Sequence, residues 1–149
     1  MYENLIGKVS NKVKNAVERG AVKKFAEAIG DAHPIYVDEE TGKNSRYGRN
    51  IAPATFPRVF DFGEISGLVW PERGLIHGQQ SYHYERPLFV GETVYCYTKV
   101  KDCYERDGGS GKMTFIVYEN NGEDELGNTI FTSELVMIIT EKVRKEMNV

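Results

Sequence analysis

The spacing of hydrophobic positions changes once along this chain, from helical to twofold. From Glu18 to Gly30, apolar residues fall at Ala21, Val22, Phe25, Ala26, Ala28 and Ile29 while Lys23, Lys24 and Glu27 take the other face, which predicts an amphipathic helix stopped by Gly30. Ahead of it, Val9, Val13 and Val17 recur every fourth residue between lysines, a pattern open to helix or strand; Asn11 to Val17 is read as a short strand. Asp38 to Gly48 is a polar connector, with Asp38 placed to cap a short helical turn and Gly42 and Gly48 placed to end one. Between Pro57 and Trp70 the only charges are Arg58, Asp61 and Glu64, three apart on one stripe among Val59, Phe60, Phe62, Ile65, Leu68, Val69 and Trp70. That pattern predicts a buried helix, with Thr55 as its N-cap and Pro57 in its first turn.

After Pro71 the period is two. Leu75 to Arg86, Glu92 to Glu105, Lys112 to Glu119 and Asn128 to Glu141 are rich in Tyr, Val, Ile, Thr and Phe and read as strands. Pro87 to Gly91, Asp107 to Gly111 and Asn120-Asn121-Gly122 with Gly127 read as the turns between them, so consecutive strands should mostly be antiparallel neighbours. Val94, Cys96, Thr98 and Val100 alternate against Tyr95, Tyr97, Lys99 and Lys101, giving one apolar face. The expected fold class is α+β, a single domain over residues 1–149 in which one long antiparallel sheet wraps around a central buried helix. The last eight residues, Lys142 to Val149, are charged and read as a fraying end or a terminal helical turn. The sheet edges and tyrosine-bearing strands would need covering, which points to a dimer.

Composition narrows the function. Of 149 residues, 40% are hydrophobic and 28% charged with only five prolines, which argues for a folded globular chain. The formal charge is −3 and the basic residues around Lys8 to Lys14 and Lys142 to Lys145 are interleaved with apolar or acidic ones, so nucleic acid is not an expected partner. Cys96 and Cys103, seven apart in one strand, are too far separated to bridge and should be reduced thiols. No charged segment followed by an apolar run opens the chain, and no stretch approaches the roughly 20 apolar residues of a membrane span. A cytoplasmic protein without membrane insertion is expected. Three histidines and two cysteines without close ligand spacing argue against zinc, and nothing in the sequence requires a cofactor.

The candidate chemistry lies between Phe25 and Phe56, where Asp31, His33 and Tyr36 fall within six residues around Pro34. Each has two readings. Asp31 is a catalytic carboxylate or a turn residue after Gly30; His33 is a site imidazole or a hydrogen-bonding side chain that orders the loop; Tyr36 donates to a bound group or packs. His77 and His83 read as satisfied strand histidines on one shared face, and Gly108 to Gly111 as a hairpin turn, since a strand follows it where a phosphate cradle would have a helix.

FAEAIGDAHPIY resembles the hydratase motif of the hotdog-fold MaoC-like dehydratases and (R)-specific enoyl-thioester hydratases: an apolar helix, Gly-Asp, a variable residue, Asn-Pro, an aliphatic residue and His. GLIHGQQSYHYERPLFVGETV is similar to the strand and turn that follow the central helix in that family, including its Arg-Pro-Leu and Gly-Glu-Thr-Val marks. The resemblance covers most of the chain. It implies Asp and His acting on a water molecule and on the α carbon of an acyl thioester, with backbone N–H groups at the start of the central helix holding the thioester carbonyl. Asp31 stands at the catalytic Asp, but His33 stands at the Asn and Tyr36 at the catalytic His, and a phenol titrating near 10 is a poor base at neutral pH. Pro53-Ala54 replaces the usual His-Gly pair, leaving the Ala54 or Thr55 N–H as carbonyl donor within a substrate-binding run Pro53, Ala54, Thr55 and Phe56.

These departures resemble the N-terminal type of MaoC-like domain, including the non-catalytic subunit of two-component 3-hydroxyacyl-ACP dehydratases. The resemblance implies a component of a hydro-lyase that binds an acyl-CoA or acyl-ACP thioester and forms a homodimer, or a heterodimer with a catalytic hotdog subunit that brings the complete Asp and His pair. Two alternatives stand beside it: a self-sufficient hotdog hydratase or thioesterase using Asp31 with His33 or another histidine, and a non-enzymatic acyl-CoA binding or regulatory module.

Overall fold

The computed structural model describes residues 2–147. Its frame is one antiparallel sheet of β1 (Val13–Ala16), β2 (Ile76–Tyr84), β3 (Thr93–Gly108), β4 (Gly111–Glu123) and β5 (Thr129–Thr140), in the spatial order β1-β3-β4-β5-β2. The three long strands follow from their β-branched and aromatic content, and the two-residue turn Gly109-Ser110 closes the β3–β4 hairpin as expected. Asn120-Asn121-Gly122, expected as a turn, lies inside β4. The reversal comes at Asp124, whose Oδ1 accepts from the N–H groups of Leu126 and Asn128, both at 2.9 Å. β2 pairs with β5 at the far edge and not with its successor β3, so Pro87 to Gly91 carries the chain across the sheet. One residue bulges from β2 between His77 and Gln79, which places His77 and His83 on opposite faces and corrects their expected shared one.

Among the described residues four α-helices accompany the sheet: α1 (Arg19–Ala28), α2 (Pro34–Val37), α3 (Glu39–Asn44) and α4 (Glu141–Met147). α1 is the amphipathic helix of the sequence pattern, burying Val22 and Ala26. Asp38 caps α3 as expected, its Oδ2 accepting from the Thr41 N–H at 2.9 Å and the Thr41 hydroxyl at 2.6 Å. Gly42 does not end that helix; it is buried within it, where a Cβ would run into the Asn50 backbone and amide. α4 accounts for the charged C-terminal run as far as Met147, and Asn148 and Val149 lie outside the described residues.

The larger departure is at Pro57 to Trp70. Only a single 3-10 turn forms, Phe56–Val59, and residues 60–75 cross the sheet as extended coil. Gly63 and Gly67 sit at φ +74° and +86°, outside the right-handed helical region, and a Cβ on Gly63 would collide with the Asn11 carbonyl. Side chains of the N-terminal strand region replace the missing helical hydrogen bonds. Ser10 Oγ donates to the Phe62 carbonyl at 2.6 Å, while Asn15 takes the Asp61 N–H at 2.9 Å and gives Nδ2–H to its carbonyl at 2.8 Å.

The core forms on the sheet face beneath this coil, in two clusters. One gathers Val17, Val22, Phe56, Leu88, Val94, Cys96 and Phe131; the other gathers Tyr2, Leu5, Ile65, Val100, Ile116, Tyr118, Leu135 and Ile139. Cys96 and Cys103 are both unpaired and buried, and burial pushes their thiols up to about 12 and about 11. Among the described residues, no helix is long and apolar enough to cross a membrane.

Candidate functional site

The loop after α1 is built by its own sequence. The Gly30 N–H reaches the Glu27 carbonyl at 3.1 Å and the Asp31 N–H reaches the Ala26 carbonyl at 2.9 Å, the paired bonds of a Schellman stop, so the backbone of Asp31 is fixed while its side chain is exposed. His33 then caps α2: its Nδ1 accepts from the Ile35 N–H at 3.1 Å, with Pro34 in the first turn. That bond engages the Nδ1 lone pair in the cap. Tyr36 is a neighbour of both Asp31 and His33. Its ring centroid is 6.1 Å from that of His33, its body packs on the Phe56 cluster, and burial together with the neighbouring Asp31 charge raises its pKa, keeping the phenol protonated.

Asn50, absent from the sequence-based site, ties this loop to the sheet. It is 3% exposed; its Nδ2 donates to the carbonyls of Ile35 and Asp38, both at 2.8 Å, and its Oδ1 accepts from Arg19 at 3.0 Å. Its backbone carbonyl accepts from the Val90 N–H at 3.1 Å and the next residue but one, Ala52, donates to Leu88 at 2.8 Å. A full set of partners at a buried amide fixes α2 against the connector that leads into β3. The only hint in sequence was a polar residue at the threshold of the apolar run Ile51-Ala52-Pro53.

Pro53 and Phe56 are buried, while Ala54 and Thr55 are exposed. The Tyr84 hydroxyl donates to the Ala54 carbonyl at 2.6 Å and pins this turn to β2; burial raises the Tyr84 pKa far above its ordinary value, so it remains a donor. Thr55 precedes the 3-10 turn as expected, but its side chain makes no capping bond. Among the described residues the N–H groups of Ala54 and Thr55 have no backbone acceptor, whereas that of Phe56 bonds to Pro53 at 2.9 Å. The expected helix dipole at this position is gone with the helix; two free N–H groups remain.

Two cavities lie under the coil. One of about 490 Å³ is lined by Ile65, Leu68, Trp70, Leu75, Tyr118, Leu135 and Met137, with Arg58, Glu64, Thr98 and Asn120 at its polar side. The other, about 190 Å³, lies among Pro57, Phe60, Phe62, Gln80, Tyr82 and Ser133 and shares Arg58 and Asn120 with the first. Asp31, His33 and Tyr36 line neither. His33 instead borders an open depression of about 640 Å³ beside α3. The structure therefore brings Asp31, His33 and Tyr36 together, and sets Pro53 to Phe56 just ahead of the cavity wall at Pro57 and Arg58, but the acid and imidazole do not face the interior space. Sequence reasoning missed the cavity residues for two reasons: Asn120 was assigned to a turn, and Arg58 and Trp70 to a helix.

A single-layer antiparallel sheet curved over its core, with a short helical cover and a Gly-Asp loop at one end, defines the hotdog class. Solved structures agree in fold. The HadBC complex (3R-hydroxyacyl-ACP dehydratase) from Mycobacterium tuberculosis superposes with a TM-score of 0.74 at 17% identity, over 93% of this chain and 100% of that one. The ChsH1–ChsH2 complex from the same organism superposes with a TM-score of 0.74 at 20% identity, over 89% of this chain and 84% of that one. Residues 4–133 match the FAS1-like, dehydratase domain region, and the chain belongs to that family. A UPF0336 protein from Thermobifida fusca is 30% identical over 129 residues, 83% of this chain and 82% of that one.

Proposed function

We propose that the chain is the acyl-thioester-binding component of an (R)-3-hydroxyacyl-thioester dehydratase or enoyl hydratase in cytoplasmic fatty acyl metabolism, completed by a catalytic hotdog chain. The observation that carries the reading is the pair of adjoining cavities of about 490 and 190 Å³ on the sheet face where a central helix was expected. A pocket of mainly apolar wall with a few convergent polar groups suits an acyl chain. The Ala54 and Thr55 N–H groups, at the turn that Tyr84 holds, suit a thioester carbonyl near the mouth.

The reading is supported by how the loop is used: His33 Nδ1 takes the α2 capping bond and Tyr36 stays protonated, which favours a second basic group for Asp31 from another chain. A partner is favoured by β2, a nine-residue edge strand with most residues exposed, whose unpaired backbone groups can extend the sheet into a second subunit. The HadBC and ChsH1–ChsH2 proteins are themselves complexes. Whether the carrier is CoA or acyl carrier protein is a property of the assembled pair.

The test is hydration of a short trans-2-enoyl-CoA, followed as loss of enoyl absorbance, with the purified chain alone and then mixed with a MaoC-type chain carrying an intact Asp and His pair. We expect no rate above background from the chain alone and a rate on mixing that exceeds the partner's own. A clear rate from the chain alone, lost in both Asp31→Asn and His33→Ala, would establish a self-sufficient site instead.

A further inference from the structure

The two halves of the core are separated by a row of polar side chains. Thr98, Asn120, Ser133 and Tyr82 stand directly opposite one another across β3, β4, β5 and β2, on the face that looks into the cavities. The next row toward α1 is Cys96, Gly122, Phe131 and Tyr84; the next row away is Val100, Tyr118, Leu135 and Gln80. Ser133 is buried and Thr98, Asn120 and Tyr82 are half-buried, and polar groups drawn partly out of water on a core face cost free energy unless they are bonded.

The row satisfies itself only in part. Gln80 Nε2 donates to Tyr82 Oη at 2.5 Å and, at 3.4 Å, to Ser133 Oγ, which is 2% exposed; Thr98 Oγ1 reaches the Glu119 carbonyl at 3.4 Å. Among the described residues the Asn120 amide and the Arg58 guanidinium make no hydrogen bond or ion pair, and both stand where the two cavities meet. Arg58 lines the smaller cavity together with Tyr82, Asn120 and Ser133, which sets its charge beside the row. The Tyr118 hydroxyl, on a residue 7% exposed in the wall of the larger cavity, is also without a partner. Two donors without a partner stand on one stretch of an otherwise apolar path, the half-buried Asn120 amide and the exposed Arg58 guanidinium. Glu64, on the wall of the same cavity, opposes a second negative charge there.

We infer that the groove selects acyl thioesters whose chain carries a neutral oxygen, a hydroxyl or keto group, part-way along its length, held by Asn120 and Arg58 between two apolar compartments. The inference rests on the acyl-thioester reading above and adds the substrate class to it. The thioester end lies at the Ala54 turn, pinned to Tyr84. The oxygen-reading row begins at Tyr82, two residues further along β2 or about 7 Å at strand spacing, so the oxygen sits several carbons beyond the thioester. The plain remainder of the chain lies against Leu68, Trp70, Leu135 and Met137.

Trp70 is the only tryptophan of the chain, lies on the cavity wall and has its ring 5.3 Å from that of Tyr118, so its fluorescence reports occupancy. The experiment titrates the full chain with dodecanoyl-CoA, with dodecanoyl-CoAs bearing one hydroxyl or one keto oxygen walked along the middle of the chain, and with dodecanedioyl-CoA. We expect an oxygen at one preferred position to tighten binding about tenfold over the plain chain, the worth of one or two hydrogen bonds made by otherwise idle donors. Asn120→Leu and Arg58→Met, each checked for folding by circular dichroism, should bring the oxygen-bearing and plain chains to equal affinity. Equal or tighter binding of the plain chain at every oxygen position, preference for the diacid, or a preference that survives both substitutions would overturn the inference while leaving the acyl reading in place. No saturable response to any of these thioesters, by fluorescence or by calorimetry, would overturn the acyl reading and this inference with it.

Discussion

The sheet face under α1 is filled ring against ring: Phe56 stands edge-on to Phe25 and Phe60, each at 5.5 Å, and Phe131 meets Phe60, Phe62 and Tyr84 at 6.3, 6.4 and 5.6 Å. At the other end of the same face, coil residues Ile65, Leu68 and Trp70 bridge over Tyr118, Leu135 and Met137 and leave about 490 Å³. Both ends are apolar, and the difference lies in what covers them. α1 and the 3-10 turn bring aromatic side chains down in close register, whereas an extended segment punctuated by Gly63 and Gly67 presents few side chains per unit length. A sheet face roofed by coil keeps a cavity that a packed helix would fill, and stability and binding are divided between the two ends accordingly.

The largest expected effect breaks the filled end. Phe56 is fully buried, and Phe56→Ala should cost about 3–5 kcal/mol in urea unfolding, against about 1 kcal/mol for Leu68→Ala, which is only partly buried and faces space that is already empty. Equal losses would mean that the two ends are packed alike. Next in size is Tyr118→Phe at the open end. Removing a buried hydroxyl without a partner while keeping the ring on Trp70 should raise stability by about 1 kcal/mol. A loss of similar size would show that the hydroxyl is satisfied in the free protein.

The smallest effect concerns the loop beside the filled end. Hydrogen bonds from Thr41 hold the Asp38 carboxyl below its ordinary value, so its folded pKa is depressed. The resulting stabilisation is present above the unfolded carboxyl pKa, about 4, and is lost as pH falls through the folded value. Asp38→Ala should therefore be less stable than the parent near neutral pH, with the gap closing as the solution is acidified below about pH 4. A gap that is constant with pH would assign the cap to some other group.

Local signals served well where a few neighbouring residues decide the outcome. The Schellman stop at Gly30, the Asp38 cap, the β3–β4 hairpin and the alternation of Val94, Cys96 and Val100 all stand as the sequence pattern implied. They failed at Pro57 to Trp70, where a charge stripe with helical spacing was outweighed by Gly63 against Asn11 and by the Ser10 hydroxyl and Asn15 amide, which satisfy an extended backbone. They also failed at Asn120-Asn121-Gly122, whose turn-like composition is absorbed into β4 because Gly122 leaves room for the Phe131 ring.

By itself the sequence determined the residues that carry local geometry: a helix stop, a proline-bounded acid and imidazole loop, long β strands, and a motif resemblance strong enough to place the fold. Those features depend on contacts a few positions apart, and residue type settles them. Only the tertiary structure decided that Pro57 to Trp70 crosses the sheet without forming a helix, and that Thr98, Asn120, Ser133 and Tyr82 meet in one row beside Arg58. Both depend on strand order, register and bulges, which bring together residues more than 50 positions apart and are set by how the whole sheet buries its face.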